Sequence, residues 1–177
     1  MNKKLKLEEL NRLDVEAFKS VRKNPIVVVL DNIRSAYNIG SVFRTSDALA
    51  IEEVVLCGIT AQPPHREIMK TALGASESVN WKYYSDTVNA VQELKNQGYQ
   101  LLALEQVENS KMLNNFNPKA EKLALVVGNE VDGVQQAVID ICDMCIEIPQ
   151  FGTKHSFNVS VSTGIALWDI IGKLKKA

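Results

Sequence analysis

Three short polar segments of the sequence contain the side chains that could do chemistry. They are residues 31–44 (DNIRSAYNIGSVFR), 128–133 (GNEVDG) and 149–158 (PQFGTKHSFN), and each directly follows a run of apolar residues. If these runs are strands of an open α/β sheet, ligands bind outside their carboxyl ends. The sequence therefore predicts a ligand site built from these segments.

The charges of these segments indicate which ligands they suit. Arg34 and Arg44 lie on a strand end and on the helix that follows it, where two guanidinium groups could hold an anion. Glu130 and Asp132 would repel a phosphate and suit a positive or hydrogen-bond-donating ligand instead. Ser156 precedes an apolar helix, and the start of a helix offers both a capping side chain and free backbone N–H groups.

Several common catalytic motifs are absent from the sequence. No G-x-G-x-x-G follows a strand and no G-x-x-x-x-G-K-[ST] occurs, so neither a dinucleotide site nor a P-loop is predicted. His155 and Ser156 are adjacent, and neighbouring side chains usually point apart, which argues against a hydrolase triad. Cys142 and Cys145 form a C-x-x-C pair without a second pair or a nearby histidine, so we expect core residues rather than a zinc or redox site.

Alternating apolar runs and helical patterns predict the elements that position these segments. Strands are predicted at 26–30, 52–58, 99–105, 122–128 and 144–149, and helices at 5–19, 39–49, 64–73, 86–97, 133–140 and 160–174. The alternation predicts an α/β fold in which a mostly parallel sheet is flanked by helices. We expect a helical extension over residues 1–24 and one compact domain over residues 25–177.

The composition is ordinary for a soluble domain and carries no global nucleic-acid signature. The chain has 177 residues, a formal net charge of -1 and a pI of about 6.1, so a nucleic-acid partner would have to contact a local basic patch. The start, MNKKLKLEEL, lacks the apolar centre of a signal peptide, and no apolar run approaches the roughly 18 residues that span a bilayer. We therefore expect a cytoplasmic protein.

The segments NIRSAYNIGSVFRTSDA, LVVGNEVDGV and IPQFGTKHSFNVSVSTGIALWDI resemble, in this order, the three signature motifs of the SpoU/TrmH family. These proteins are RNA ribose 2′-O-methyltransferases of the SPOUT superfamily, and the resemblance covers residues from about 25 to 172. It implies an α/β knot, in which the C-terminal segment is threaded into a deep trefoil. It also implies S-adenosyl-L-methionine as donor, S-adenosyl-L-homocysteine as product, no metal, and a homodimer with its active site at the subunit interface.

Site residues follow from the resemblance position by position. The matching polar active-site positions are Asn38, Arg44, Glu130, Ser156 and Asn158. The matching donor-binding positions are Leu104, Gly128, Asn129, Ile148, Phe157 and Asn158, with Phe157 standing where the family usually has Leu. The residues expected to contact RNA are Arg34, Arg66, Lys70 and Lys154.

The resemblance gives Arg44 a part in methyl transfer to the ribose 2′-hydroxyl. Because arginine stays protonated, with a pKa above about 12, we expect Arg44 to hold an RNA phosphate and stabilise the developing alkoxide. Glu130 is expected to orient Arg44 or Asn38, which leaves the proton acceptor open. The substrate is equally left open between tRNA and rRNA.

Two other functions fit the same fold: a non-catalytic RNA-binding factor, and a methyltransferase that modifies bases. A chain that had lost catalysis would be expected to lack Asn38, Arg44 or the pair Ser156 and Asn158, and all four are present. Since the ribose-type motifs are intact as well, the sequence favours ribose methylation.

Overall fold

A seven-stranded parallel sheet forms the centre of the protein, as the computed structural model of residues 2–175 describes it. The strand order is β3-β2-β1-β6-β4-β7-β5. The strands are β1 (Asn24–Asp31), β2 (Ile51–Cys57), β3 (Asn80–Tyr84), β4 (Gln100–Leu104), β5 (Lys111–Met112), β6 (Leu123–Gly128) and β7 (Met144–Glu147). The α/β fold with a parallel sheet is thereby confirmed.

Helices cover both faces of this sheet. They are α1 (Val15–Ser20), α2 (Ala36–Ala48), α3 (Arg66–Ala72), α4 (Ala75–Ser78), α5 (Thr87–Asn96), α6 (Gln136–Ile139) and α7 (Val159–Leu174), with 3-10 turns at Leu7–Leu10 and Leu113–Asn115. Within the described range, no helix is both long enough and apolar enough to cross a membrane.

The central strands are buried on both faces, which explains their continuous apolar runs. Side chains on one face of β1, such as Val28 and Leu30, belong to the core that packs under α2 and α7. The alternate side chains, such as Val27 and Val29, belong to a second core under α5 and α6. Alternate residues along one strand therefore supply two different helix layers.

The sequence located the buried strands and missed the sheet edges. All five predicted strands form, at nearly the predicted positions, whereas β3 and β5 were not predicted. These two strands are the outermost of the sheet, and both leave most of their side chains partly or fully exposed. An edge strand without a buried face has no continuous apolar run by which the sequence could reveal it.

The prediction of one N-terminal helix over residues 5–19 is wrong. A 3-10 turn at Leu7–Leu10 ends at Asn11, whose φ of 48° is left-handed, and a new helix begins only at Val15. Asp14 caps that helix, because its carboxylate accepts a hydrogen bond from Ala17 N at 2.8 Å. The apolar spacing is helical across the break, so the spacing alone could not reveal it.

Parallel pairing brings the polar segments to one edge of the sheet. Asp31 at the end of β1 pairs with Gly128 at the end of β6, and Leu104 at the end of β4 pairs with Val127 and Ile146. The carboxyl ends of four neighbouring strands thus lie side by side. This is the edge at which the sequence predicts a ligand site.

Candidate active site

A cavity of about 610 Å³ opens at the carboxyl edge of β4, β6 and β7. Four stretches of chain line it. They are residues 104–106, residues 127–133, Glu147 with Ile148 and Gln150, and residues 155–159 with Ser162. All six residues predicted to bind the donor are among the lining residues: Leu104, Gly128, Asn129, Ile148, Phe157 and Asn158.

The loop after β6 makes a tight turn that requires glycine at two positions. A Cβ atom on Gly128 would overlap the backbone of Gly133 and Val134, because Asn129 and Gly133 exchange two backbone hydrogen bonds across the turn. Gly133 itself has a φ of +69°, and a Cβ there would also overlap the Glu105 carboxylate. Asn129 stabilises the turn further, since its side-chain oxygen accepts hydrogen bonds from Val131 N and Asp132 N.

The carboxylates of Glu105 and Asp31 accept hydrogen bonds from the backbone at the end of this loop. Neither was identified from the sequence as a site residue. Glu105 accepts a hydrogen bond from Val134 N at 2.9 Å. The fully buried Asp31 accepts hydrogen bonds from Gln135 N at 2.8 Å and from Thr87 Oγ1 at 2.6 Å. Each of them directly ends or follows an apolar strand, and this position was the signal that could have identified them.

Glu130 forms hydrogen bonds with three groups at the rim of the cavity. Its carboxylate accepts hydrogen bonds from Asn38 Nδ2 at 2.8 Å, Arg34 N at 3.1 Å and Ser35 N at 3.2 Å. Partial burial acts to raise the pKa of Glu130, but the hydrogen bonds from Asn38, Arg34 and Ser35 outweigh it and lower that pKa below its usual value. Glu130 therefore carries its charge at neutral pH.

Asn158 extends this network to the last helix. Its Nδ2 donates to Asn38 Oδ1 at 3.1 Å, while its Oδ1 accepts from Ser160 N at 3.0 Å and so caps α7. The three segments that the sequence singled out thus meet in one chain of hydrogen bonds through Asn38, Glu130 and Asn158. Ser156 lies beside them in the cavity lining.

Among the predicted active-site residues, Glu130, Ser156 and Asn158 line this cavity, and Asn38 is hydrogen-bonded to Glu130 and Asn158 without lining it. Arg44 does not line the cavity of its own chain. It is exposed on α2, six residues beyond Asn38, which corresponds to ~9 Å along the helix axis and a different helix face. Arg44 instead lines a second cavity of about 710 Å³ between α2, the start of the chain and α4. Arg12 and Asp47 line this second cavity too.

The residues predicted to bind RNA lie in two groups. Arg34 is beside the cavity rim, where its guanidinium is 3.5 Å from the Asp132 carboxylate, and Lys154 lies exposed in the loop before α7. Arg66 and Lys70 are exposed four residues apart on α3. These two α3 residues do not line the first cavity.

The three cysteines are free thiols. Burial raises the pKa of Cys142 to about 12, and it raises the pKa of Cys57 to about 12 as well. No group of three or more potential metal ligands occurs among residues 2–175. Thiols with such pKa values are poor nucleophiles and poor ligands, which fits the expected role of core residues.

The fold and the site define the class of this protein. It is an α/β protein with a parallel sheet and a polar cavity, built from several segments, at the carboxyl edge of that sheet. Comparison with known families assigns the chain within that class. Residues 25–168 match the SpoU rRNA Methylase family, and the chain belongs to this family.

Curated relatives carry methyltransferase names. The chain is 30% identical over 152 residues to the 23S rRNA (guanosine-2′-O-)-methyltransferase RlmB of Neisseria meningitidis, with 86% of this chain and 60% of the relative covered. It is 27% identical over 163 residues to the tRNA (guanosine(18)-2′-O)-methyltransferase of Borreliella burgdorferi, with 92% of this chain and 73% of the relative covered. The chain therefore spans only part of the length of these relatives.

Solved structures share the fold. The A. aeolicus TrmH/SpoU tRNA-modifying enzyme superposes with a TM-score of 0.80 at 26% identity, over 92% of this chain and 83% of that one. The SpoU methyltransferase AviRb of Streptomyces viridochromogenes, solved in complex with AdoMet, gives a TM-score of 0.79 at 20% identity, over 89% of this chain and 64% of that one. At 20% identity the second likeness concerns the fold alone.

Proposed function

We propose that this chain is an S-adenosylmethionine-dependent methyltransferase that acts on a ribose 2′-hydroxyl of tRNA or rRNA. One observation carries the proposal. The six residues predicted to bind the donor line a single cavity, and Asn38, Glu130 and Asn158 form one hydrogen-bonded chain at its rim. Family membership and the names of the relatives support the same reaction.

The cavity suits the methyl donor in size and in chemistry. Its volume of about 610 Å³ lies within the range typical of small-molecule sites. Leu104, Ile148 and Phe157 offer apolar surface for the adenine ring, and the lining carboxylates suit a cation. When bound, the donor supplies a methyl group whose bond to the positive sulfur breaks, leaving both electrons on sulfur, as the methyl carbon bonds to the ribose 2′-oxygen.

The residues of the chain would position the ribose and hold charge during this transfer. Glu130 uses its carboxylate oxygens to hold Asn38 and two backbone amides, so we assign it a positioning role. Asn38 and Asn158 present amide groups at the rim, where they would orient the 2′-hydroxyl. As the hydroxyl proton leaves to a base, negative charge develops on the 2′-oxygen, and a guanidinium such as that of Arg44 would stabilise it.

We also propose that the active protein is a homodimer in which Arg44 completes the cavity of the partner subunit. Val161, Ile165 and Trp168 form an apolar stripe along α7 at helical spacing, with 50%, 38% and 73% of their surfaces exposed. A second copy would cover this stripe. Helix α2, which carries Arg44, packs against α7, and Arg44 lies outside the cavity of its own chain.

The domain division, the knotted fold, the RNA contacts and the cellular location are further proposals. The family match begins at residue 25, which supports a division into an extension over residues 1–24 and a methyltransferase domain over residues 25–177. The likeness to the TrmH/SpoU enzyme supports a threaded C-terminal segment, as the knotted fold requires. RNA would contact Arg34, Arg66, Lys70 and Lys154, and a cytoplasmic location fits such a substrate.

The decisive experiment is a methylation assay with the purified full chain. Total tRNA and rRNA from cells that lack this gene would be incubated with labelled donor, digested to nucleosides and analysed by mass spectrometry. We expect a 2′-O-methylated nucleoside, with at least a ~100-fold lower rate for Asn38→Ala, since it removes a group placed to orient the hydroxyl.

The matched control is Asn89→Ala, because Asn89 is exposed on α5, away from the cavity. This variant should retain wild-type activity. Methylation of a base would reject the ribose reaction in favour of a base methyltransferase. RNA binding without any transfer would favour the non-catalytic RNA-binding factor.

A further inference from the structure

The wall of the first cavity is negatively charged. Four carboxylate residues line it: Glu105, Glu130, Asp132 and Glu147. Among the described residues, no lysine or arginine belongs to the lining, and the remaining titratable lining residue is His155. A cavity walled in this way carries a negative potential that low-dielectric surroundings strengthen.

Three of these carboxylates are engaged by partners in the fold. Glu105 accepts backbone hydrogen bonds from Gln106 N and Val134 N, and Glu130 accepts the three described above. Asp132 lies 3.5 Å from the Arg34 guanidinium, which offsets part of its charge. These donors are neutral amides, so no cation is paired with Glu105 or Glu130 among them.

Glu147 differs from the other three carboxylates. It is the last residue of β7 and only partly exposed, yet no hydrogen-bond or ion-pair partner for its carboxylate occurs within residues 2–175. Its negative charge is therefore not offset by a neighbouring cation or donor among these residues. Its position directly before Ile148 places this charge in the wall of the proposed donor cavity.

We propose that Glu147, together with the other lining carboxylates, makes the cavity select the cationic methyl donor over its neutral product. This inference rests on the proposed function. At neutral pH the donor carries a sulfonium, an ammonium and a carboxylate, a net charge of +1, whereas the product has lost the sulfonium charge. A negative wall lowers the free energy of the bound donor more than that of the bound product, so product leaves readily after transfer.

The test measures binding of S-adenosylmethionine and S-adenosylhomocysteine by calorimetry, without RNA. The wild-type chain is compared with Glu147→Gln and Glu147→Lys at about pH 8. The measured quantity is the ratio of the product Kd to the donor Kd. We expect Glu147→Gln to lower this ratio about 2- to 5-fold, the effect of one partly screened charge.

Glu147→Lys changes the local charge by twice as much. Its effect on the ratio should therefore be about the square of the effect of Glu147→Gln, and high salt should weaken both effects. The cationic analogue sinefungin, which has an amine carbon in place of the methylated sulfur, should follow the donor. The matched control is Glu121→Gln, because Glu121 is exposed before the opposite end of β6.

The outcomes separate this inference from the function on which it rests. If both Glu147 variants bind donor and product with an unchanged ratio, charge selection is rejected while the donor site stands. An equal loss of affinity for both ligands would likewise make Glu147 a merely structural residue. If the wild-type chain binds neither ligand, the donor site itself is rejected, and the inference fails with it.

Discussion

At the scale of single residues, the proposed mechanism assigns positioning to Asn38, Glu130 and Asn158 and charge stabilisation to Arg44. Asn38, Glu130 and Asn158 are fixed by hydrogen bonds to one another and to the backbone. Such preorganisation lowers the cost of aligning a substrate hydroxyl. Arg44 has no such place in the cavity of its own chain, so its proposed part in catalysis would depend on the proposed dimer.

Arg44→Ala should abolish methyl transfer while leaving donor binding intact. Arg44 lies outside the donor cavity, and loss of one charge-stabilising group typically costs ~10²- to 10³-fold in rate. Single-turnover methylation and calorimetry measure the two properties separately. Arg22→Ala, which removes an exposed arginine before β1, is the control, and an equal loss of donor affinity in Arg44→Ala would contradict the assignment.

Asn38→Ala should raise the pKa of Glu130 towards its usual value. Among the hydrogen bonds that lower this pKa against the opposing effect of burial, the one from Asn38 is the largest. Because the folded-state pKa is lowered, the stability that Glu130 contributes is present above its unfolded pKa and is lost as pH falls through the folded one. Carbon-detected NMR titration of the carboxyl would measure the shift. An unchanged pKa would contradict the network.

At the scale of elements, the turn after β6 determines the shape of the cavity. Gly128 and Gly133 allow the chain to turn back within a few residues, and Glu105 and Asp31 hold the far side of the turn. The turn exposes Asn129 and Glu130 to the cavity on one side while its backbone is fixed on the other. A turn held by backbone and carboxylate hydrogen bonds therefore presents these two residues to the cavity.

Gly128→Ala should destabilise the fold by about 2–3 kcal/mol and weaken donor binding, because the added methyl group overlaps backbone atoms that have no room to move. Gly172→Ala is the matched control, since a Cβ at that position in α7 meets no atom within 4 Å. It should stabilise the protein by up to ~1 kcal/mol through helix propensity. Urea unfolding measures both variants, and a neutral Gly128→Ala would show that the turn can open.

At the scale of the whole molecule, the proposed dimer would account for both the apolar stripe on α7 and the position of Arg44. A second copy that covers Val161, Ile165 and Trp168 would also bring another α2 close to the first cavity. The interface of a two-fold dimer contains the same patch twice, so each cavity would gain one arginine from its neighbour.

Subunit mixing tests the shared site directly. Arg44→Ala and Asn158→Ala should each be inactive alone, whereas a heterodimer of the two contains one complete site. Random exchange of subunits would therefore restore roughly a quarter of wild-type activity. Trp168→Glu should instead yield monomers in size-exclusion chromatography with light scattering. Dimers that show no restored activity on mixing would reject the shared site.

The sequence was sufficient to predict the buried strands and the polar rim. Continuous apolar runs identified β1, β2, β4, β6 and β7, because a strand covered on both faces must be apolar throughout. The ends of these strands located the three polar segments, and the family resemblance then singled out Asn38, Glu130 and Asn158 within them. The same reasoning gave no hint of β3 and β5, whose exposed edges need no apolar pattern, or of the break at Asn11.

The sequence by itself determined local features of the chain. These are the residues that must be buried, the ends of the strands, and the polar groups that follow those ends. Only the tertiary structure decided which of those groups meet. It joined Asn38 to Asn158, 120 positions apart in the chain, and anchored the β6 turn on Asp31 and Glu105. It also left Arg44 outside the cavity. Local patterns record burial, whereas contacts between distant segments depend on strand order and register, which no single segment encodes.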